Sequence, residues 1–107
     1  MDIEIQQEID LIKEGVLRAV PAKAIYLFGS HAYGTPNNDS DIDIYVVVPD
    51  DVVSLPELQG GIRELLWGKK TKELDLLMSR SSSFNQRKNG PTLEGMVARK
   101  GTVLYES

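Results

Sequence analysis

An alternating stretch near the middle of the chain most constrains what this sequence can fold into. Apolar residues occupy every second position of it, at Ile42, Ile44, Val46 and Val48, and Pro49 follows directly. This period of two predicts a β-strand from 41 to 48 with one face in the core. Asp41 and Asp43 then leave the opposite face together, roughly 6–7 Å apart along the backbone.

The remaining periodicities predict helices and strands on both sides of this strand. We expect helices over 3–19, from Ser54 through Leu66, and from 93 to 100 after a Thr92 cap, and a short helical turn capped by Ser82 or Ser83. Further strands are predicted at 24–28, 73–78 and 102–105, and a loop at 34–40. This order indicates one α+β (mixed α/β) domain spanning residues 1–107.

Composition excludes several classes of function. The chain has 107 residues, a net charge of −4 and no cysteine, which rules out a thiol nucleophile and a Cys-based zinc site and fits a reducing, cytoplasmic location. The negative charge disfavours a nucleic-acid partner. No apolar stretch is long enough to cross a membrane. Eight basic residues in the C-terminal half are either solvated surface charges or contacts for triphosphate oxygens: Lys69, Lys70, Lys72, Arg80, Arg87, Lys88, Arg99 and Lys100.

Three carboxylates point to a metal site. Asp41 and Asp43 repel each other unless a cation lies between them, and a ligand set made only of oxygen suits Mg²⁺ or Mn²⁺. Asp75 lies between Leu74 and Leu76 in the next predicted strand. If that strand pairs with the first and Asp75 faces the same way, the three carboxylates can hold two metal ions roughly 3.5–4 Å apart.

Gly29-Ser30 follows the strand predicted at 24–28 and is a candidate phosphate-binding turn. Glycine lets the backbone approach a phosphate closely, and the serine hydroxyl and following N–H groups are phosphate donors. Together with the carboxylates, these parts match phosphoryl transfer, which depends mainly on positioning and charge neutralisation.

These residues resemble the signature of the DNA polymerase β-like nucleotidyltransferase superfamily. Gly29-Ser30 is followed, ten residues on, by Asp41-Ile42-Asp43; Leu27-Phe28 and Ser40 match the flanks, and residues 97–106 resemble the ending of the minimal (MNT) prokaryotic branch. The resemblance implies a small mixed sheet of three to four strands flanked by helices, two Mg²⁺ ions (Mn²⁺ as an alternative) and an NTP donor, usually ATP.

The resemblance also implies roles for single residues. Asp41, Asp43 and Asp75 would be catalytic metal ligands, with Asp75 assisting deprotonation of the acceptor, and Gly29 and Ser30 would bind the nucleotide. Many relatives carry arginine where this chain has His31 and Tyr33, so the family's phosphate or acceptor contacts do not carry over to these two positions, whereas the metal site is unaffected.

Alternative interpretations of the same residues remain open. The aspartates can be polar residues on the solvent-exposed face of an edge strand. Gly29 can simply end a strand, and Ser30 can cap a helix. Tyr33 and Trp67 can be core or interface residues. At the level of function, the first hypothesis is an enzyme that moves a nucleoside monophosphate, AMP from ATP, to a hydroxyl acceptor. The second is an antitoxin that neutralises a small helical HEPN-type partner by docking alone. A nucleotide-binding regulator without turnover is the third, and a homodimer is compatible with the small size.

Overall fold

The computed structural model describes residues 3–36, 40–69 and 72–107, and within them the chain forms five helices and four strands. The helices are α1 (Ile3–Ala19), α2 (Ser30–Tyr33), α3 (Leu55–Leu66), α4 (Ser81–Arg87) and α5 (Leu93–Lys100). The strands are β1 (Ala24–Phe28), β2 (Ile42–Val48), β3 (Leu74–Arg80) and β4 (Thr102–Glu106).

The four strands form one mixed sheet in the order β3-β2-β1-β4. β1 runs antiparallel to both β2 and β4, whereas β2 and β3 are parallel. The end of β1 therefore meets the beginnings of β2 and β3 at the same end of the sheet. This topology confirms the predicted α+β fold with a small mixed sheet flanked by helices.

Two apolar cores cover the two faces of the sheet. On one face, α1 and α3 pack on the even-numbered residues of β2 through fully buried side chains such as Ile12, Ile62 and Leu66. On the other face, Phe84 of α4 and Val97 of α5 pack on Tyr45 and Val47. The odd-numbered face of β2, which carries Asp43, therefore looks toward α4 and α5.

The local patterns predicted most elements closely. The expected capping by Ser54 and Thr92 is confirmed, because the Oγ of Ser54 accepts a hydrogen bond from the amide of Glu57 and the Oγ1 of Thr92 accepts one from that of Gly95. β2 begins at Ile42, one residue later than expected, and β3 runs on to Arg80 instead of ending at 78. Residues 37–39 of the expected loop lie outside the described residues.

The prediction that Ser82 or Ser83 caps α4 is wrong. The helix begins at Ser81, and its N-cap residue Arg80 makes no capping hydrogen bond with its side chain. Instead, a carboxylate distant in sequence caps the first turn of the helix: Asp50 Oδ1 accepts a hydrogen bond of 2.9 Å from the amide of Ser82. That hydrogen bond lowers the pKa of Asp50, since it stabilises the ionised carboxylate.

Within the described part of the chain, the helices are too short or too polar to span a lipid bilayer.

Candidate active site

The candidate site lies at the end of the sheet where β1 finishes and β2 and β3 begin. Register pairs Phe28 with Asp43 across the antiparallel strands, and Asp43 with Asp75 across the parallel ones. Asp43 and Asp75 are therefore neighbours on the same face of the sheet, at the strand spacing of roughly 4.8 Å. The placement of Asp75 beside the Asp-x-Asp strand agrees with the geometry expected from the sequence.

The two paired carboxyl groups interact strongly. Asp43 is partly buried, and its pKa rises from 3.8 to about 6. Burial is the largest cause, followed by the negative charge of Asp75, a carboxyl–carboxyl hydrogen bond to it, and the charge of Asp41, while His31 opposes the rise. Without a cation, the pair is thus stabilised by holding a proton. A bound cation would remove the same repulsion.

Asp41 occupies a different position from the pair. It lies one residue before β2 and is exposed, and it acts on Asp43 through its charge. Across residues 3–36, 40–69 and 72–107, no three carboxylate or imidazole groups converge into a ready-made metal centre. The residues at hand, all oxygen donors with one strained pair, still fit the chemistry that Mg²⁺ prefers. The three-carboxylate metal site therefore stays a prediction.

Gly29 touches the carboxylate directly. Its φ is +73°, a conformation that side-chain-bearing residues rarely adopt, and a Cβ built on it would overlap the carboxylate of Asp43. The sequence suggested that this glycine lets the backbone approach a phosphate. The structure adds a second requirement, because only a residue without a side chain leaves room for Asp43.

A single helical turn follows Gly29 and connects the two halves of the motif. Ser30 opens α2, and the amides of Ala32 and Tyr33 donate to the Gly29 carbonyl at 3.0 and 3.1 Å. His31 Nε2 lies 3.2 Å from the carbonyl oxygen of Ser40, which can only accept, so this nitrogen carries the proton. His31 thereby joins the turn to the residue preceding Asp41. No pattern in the sequence predicted this contact.

A buried polar network lies behind the carboxylates on the same face. Glu94 of α5 is 9% exposed; its Oε2 is 2.9 Å from the hydroxyl of Tyr45, and its Oε1 accepts from Arg87 Nε at 2.9 Å. The Tyr45 oxygen is also 2.9 Å from Ser79 Oγ. Because tyrosine has one hydroxyl proton, it donates to the carboxylate and accepts from Ser79. No sequence pattern had singled out Glu94, Tyr45 or Ser79.

Two of the basic residues have structural roles. Arg87 pairs with Glu94, and the guanidinium of Arg80 donates to the carbonyl oxygens of Val52 and Val53. Lys70 lies outside the described residues. Trp67 is 85% exposed, which excludes the core role considered for it and leaves the interface role open.

Comparison with known proteins places this site in context. A family model described as a nucleotidyltransferase domain matches residues 9–89, a span that contains Gly29, Ser30 and the three aspartates. None of the curated protein sequences compared with the chain matches it.

Several solved structures share the fold. A candidate nucleotidyltransferase from Sulfolobus solfataricus is 18% identical, with 99% of this chain and 89% of that one aligned and a TM-score of 0.60. A toxin–antitoxin complex with AMP-PNP is 23% identical, with 92% and 73% aligned and a TM-score of 0.55. A complex of an MNT antitoxin with a tri-AMPylated HEPN toxin of Shewanella oneidensis is 24% identical, with 95% and 72% aligned and a TM-score of 0.56. The family match confirms the resemblance seen in the sequence, and the chain belongs to the nucleotidyltransferase domain family.

Proposed function

We propose that this protein transfers a nucleoside monophosphate, AMP from ATP, to a hydroxyl group of a partner protein. The observation that carries the proposal is the in-register pair of Asp43 and Asp75, with Gly29 against the Asp43 carboxylate. Two carboxylates forced together at a strand end form a site for a divalent cation and, through it, for a triphosphate. ATP as donor suits a cytoplasmic location.

Each residue has a role in this proposal. Asp43, Asp75 and Asp41 would hold Mg²⁺, which when bound would neutralise the charge of the triphosphate. Gly29 and Ser30 position the phosphates through backbone amides and the serine hydroxyl. The acceptor hydroxyl oxygen forms a bond with the α-phosphorus. The bond between that phosphorus and the oxygen bridging the α- and β-phosphates breaks, and pyrophosphate leaves. Asp75, at the exposed side of the pair, takes the hydroxyl proton.

The proposed acceptor is a helical HEPN-type protein. Two structural neighbours are toxin–antitoxin complexes, one of them with AMP-PNP and the other with a tri-AMPylated HEPN toxin bound to an MNT antitoxin. A nucleic-acid acceptor is disfavoured, because the chain carries a net charge of −4 and would repel a polyanion.

A labelling experiment tests the transfer. The protein is incubated with ATP labelled at the α-phosphate, Mg²⁺ and a co-expressed HEPN-type protein or a cell extract, with γ-labelled ATP in parallel. We expect label on a protein from the α-phosphate only, and a loss of about 100-fold or more with Asp43→Asn or Asp75→Asn. Asp51→Asn, an exposed carboxylate outside the site, is the matched control. Equal labelling by Asp43→Asn and wild type would refute the proposal.

Docking without catalysis is the second candidate, favoured by the complexes among the neighbours and by the exposed Trp67. Co-expression with a toxic partner distinguishes the two. If Asp41→Ala and Asp43→Ala still protect cells, docking suffices; if they fail while the folded protein accumulates normally, transfer is required.

A further inference from the structure

A groove opens beside the crossing of α1 and α3, on the face of the sheet opposite Asp43. The helices approach closely at Gly15, where an added Cβ would lie 2.8 Å from Leu66 Cδ2. Next to this contact are two adjoining cavities of about 150 and 450 Å³, which share Leu66 as a wall. Leu11 and Leu65 supply further apolar lining.

The chain's single tryptophan stands at the mouth of the larger cavity. Trp67 is 85% exposed, although it carries the largest apolar surface of any side-chain type. Its position is fixed by the end of α3, where Gly68 adopts φ +73° and the Lys69 amide donates to the Leu66 carbonyl at 3.0 Å. A large aromatic group held outward beside an apolar groove is characteristic of a binding surface.

The charges around this groove differ in sign from those of the molecule. Among the described residues, three cations line it, Arg18, Arg63 and Lys69, against one anion, Glu14, while the whole chain carries −4. Within the described part of the chain, none of the three cations is paired with a carboxylate. Carboxylates from outside would neutralise them and favour association.

These charges select among the possible occupants. A second copy docking through the same groove would bring three cations against three. A nucleic acid would be attracted by the three cations but repelled by the net charge of −4 on the whole chain, and its phosphate backbone would leave the apolar lining of the groove without a partner. We propose that the α1–α3 groove docks a partner protein through an amphipathic helix whose apolar face is flanked by aspartate or glutamate. Trp67 packs on the apolar face of that helix, and Arg18, Arg63 and Lys69 pair with its carboxylates.

The location of the groove gives the proposal its functional meaning. This docking surface rests on the proposed function in so far as the partner is the acceptor of the nucleotidyl group. The exposed tryptophan, the apolar lining and the cations that indicate it are independent of the transfer reaction. Because the sheet lies between the groove and the pair Asp43 and Asp75, we expect substitutions in one to leave the geometry of the other intact. Docking and transfer can therefore fail independently.

A peptide titration tests the groove directly, with Trp67 as the sole tryptophan reporter. The probes are a synthetic helical peptide with leucines along one face and glutamates elsewhere, the same peptide with lysines for the glutamates, and a single-stranded oligonucleotide. No nucleotide is added. We expect the acidic peptide to shift Trp67 emission to the blue and to bind at least about tenfold more tightly than the basic one.

Variants identify the surface. Arg63→Glu should weaken the acidic peptide about tenfold or more, whereas Arg99→Glu, on α5 at the other face, and Asp43→Asn should leave the affinity unchanged. Equal affinity for the two peptides, binding of the oligonucleotide alone, or an emission shift produced by concentrating the protein without peptide would each overturn the proposal. The last result would assign the groove to a second copy.

Discussion

At the scale of single residues, Asp43 and Gly29 depend on each other. Asp43 carries a raised pKa because it is partly buried beside Asp75, and Gly29 supplies the space that its carboxylate occupies. The arrangement is unfavourable for a metal-free protein and favourable for one that binds a cation. Two measurements on single substitutions examine these two aspects.

Gly29→Ala should impair both folding and transfer. The positive φ and the overlap with Asp43 predict a loss of about 1–3 kcal/mol in the free energy of unfolding, and displacement of the carboxylate predicts about 100-fold lower transfer. Gly60→Ala is the matched control, since a Cβ there meets nothing within 4 Å and lies in helix α3; it should gain about 0.5–1 kcal/mol. Urea unfolding and the labelling assay measure the two effects. Full activity in Gly29→Ala would contradict this account.

The raised pKa of Asp43 predicts a pH dependence of stability in the absence of metal. Between pH 4 and 6 the folded protein holds a proton that the unfolded chain releases, because the pKa is about 6 in the folded state and 3.8 ordinarily. This stabilisation is complete below pH 4 and is lost as pH rises through 6. In EDTA, wild type should therefore lose stability relative to Asp43→Asn over that window and unfold at the lower temperature at pH 7. If the difference in melting temperature between the two proteins were the same at pH 4 and pH 7, this prediction would be wrong.

At the scale of elements, the network of Tyr45, Ser79, Glu94 and Arg87 holds the helices to the sheet. Glu94 sits in the first turn of α5, and it links that helix to β2 and to the end of α4. Burial alone would raise the pKa of Glu94, but hydrogen bonds from Arg87, from a backbone amide and from Tyr45, together with the charge of Arg87, outweigh burial and lower it. Burial raises the pKa of Tyr45 to about 12. The tyrosine hydroxyl therefore stays protonated and able to donate.

Tyr45→Phe should destabilise the fold by about 1–3 kcal/mol, because it removes a donor from a buried carboxylate. Tyr26→Phe is the matched control, since its ring, like that of Tyr45, contacts Phe84, but its hydroxyl has no hydrogen-bond partner within the described residues. Urea midpoints for the two variants measure the difference. Equal shifts would mean that the network contributes nothing.

The sequence predicted what local chemistry determines. β2 follows from its alternation, α3 and α5 from their caps, and the candidate site from the spacing of Gly29-Ser30 and the aspartates. Contacts between segments distant in the chain could not be read in this way. Three such contacts depend on how the sheet brings separate elements together. They are the hydrogen bond from the start of α4 to Asp50, the close approach of Gly29 to Asp43, and the burial of Glu94.

At the scale of the whole molecule, the sheet separates the larger apolar core from the candidate site. The fully buried side chains of α1 and α3 lie on one face, whereas Asp43 and the network behind it lie on the other. Ile12→Ala should thus cost about 2–5 kcal/mol through the cavity it leaves, yet leave the transfer rate per folded molecule unchanged. Asp43→Asn should instead lower the transfer rate without any loss of stability, because it removes a carboxylate whose pKa is raised in the folded protein. Unfolding curves and labelling rates, measured well below the melting temperature, check both; a slow but fully folded Ile12→Ala protein would show that the faces are coupled.

The position of β4 has a consequence for how the chain reaches this structure. β1 lies inside the sheet only because β4 covers its outer edge, and β4 begins at Thr102 whereas β1 ends at Phe28. The β1–β2 pair can form early from nearby residues, but closing the long β1–β4 loop is entropically slow. Until then, β1 exposes unpaired amides and carbonyls that a neighbouring chain can bind. Aggregation during refolding should therefore depend on protein concentration, and substitutions that weaken β4 should increase it.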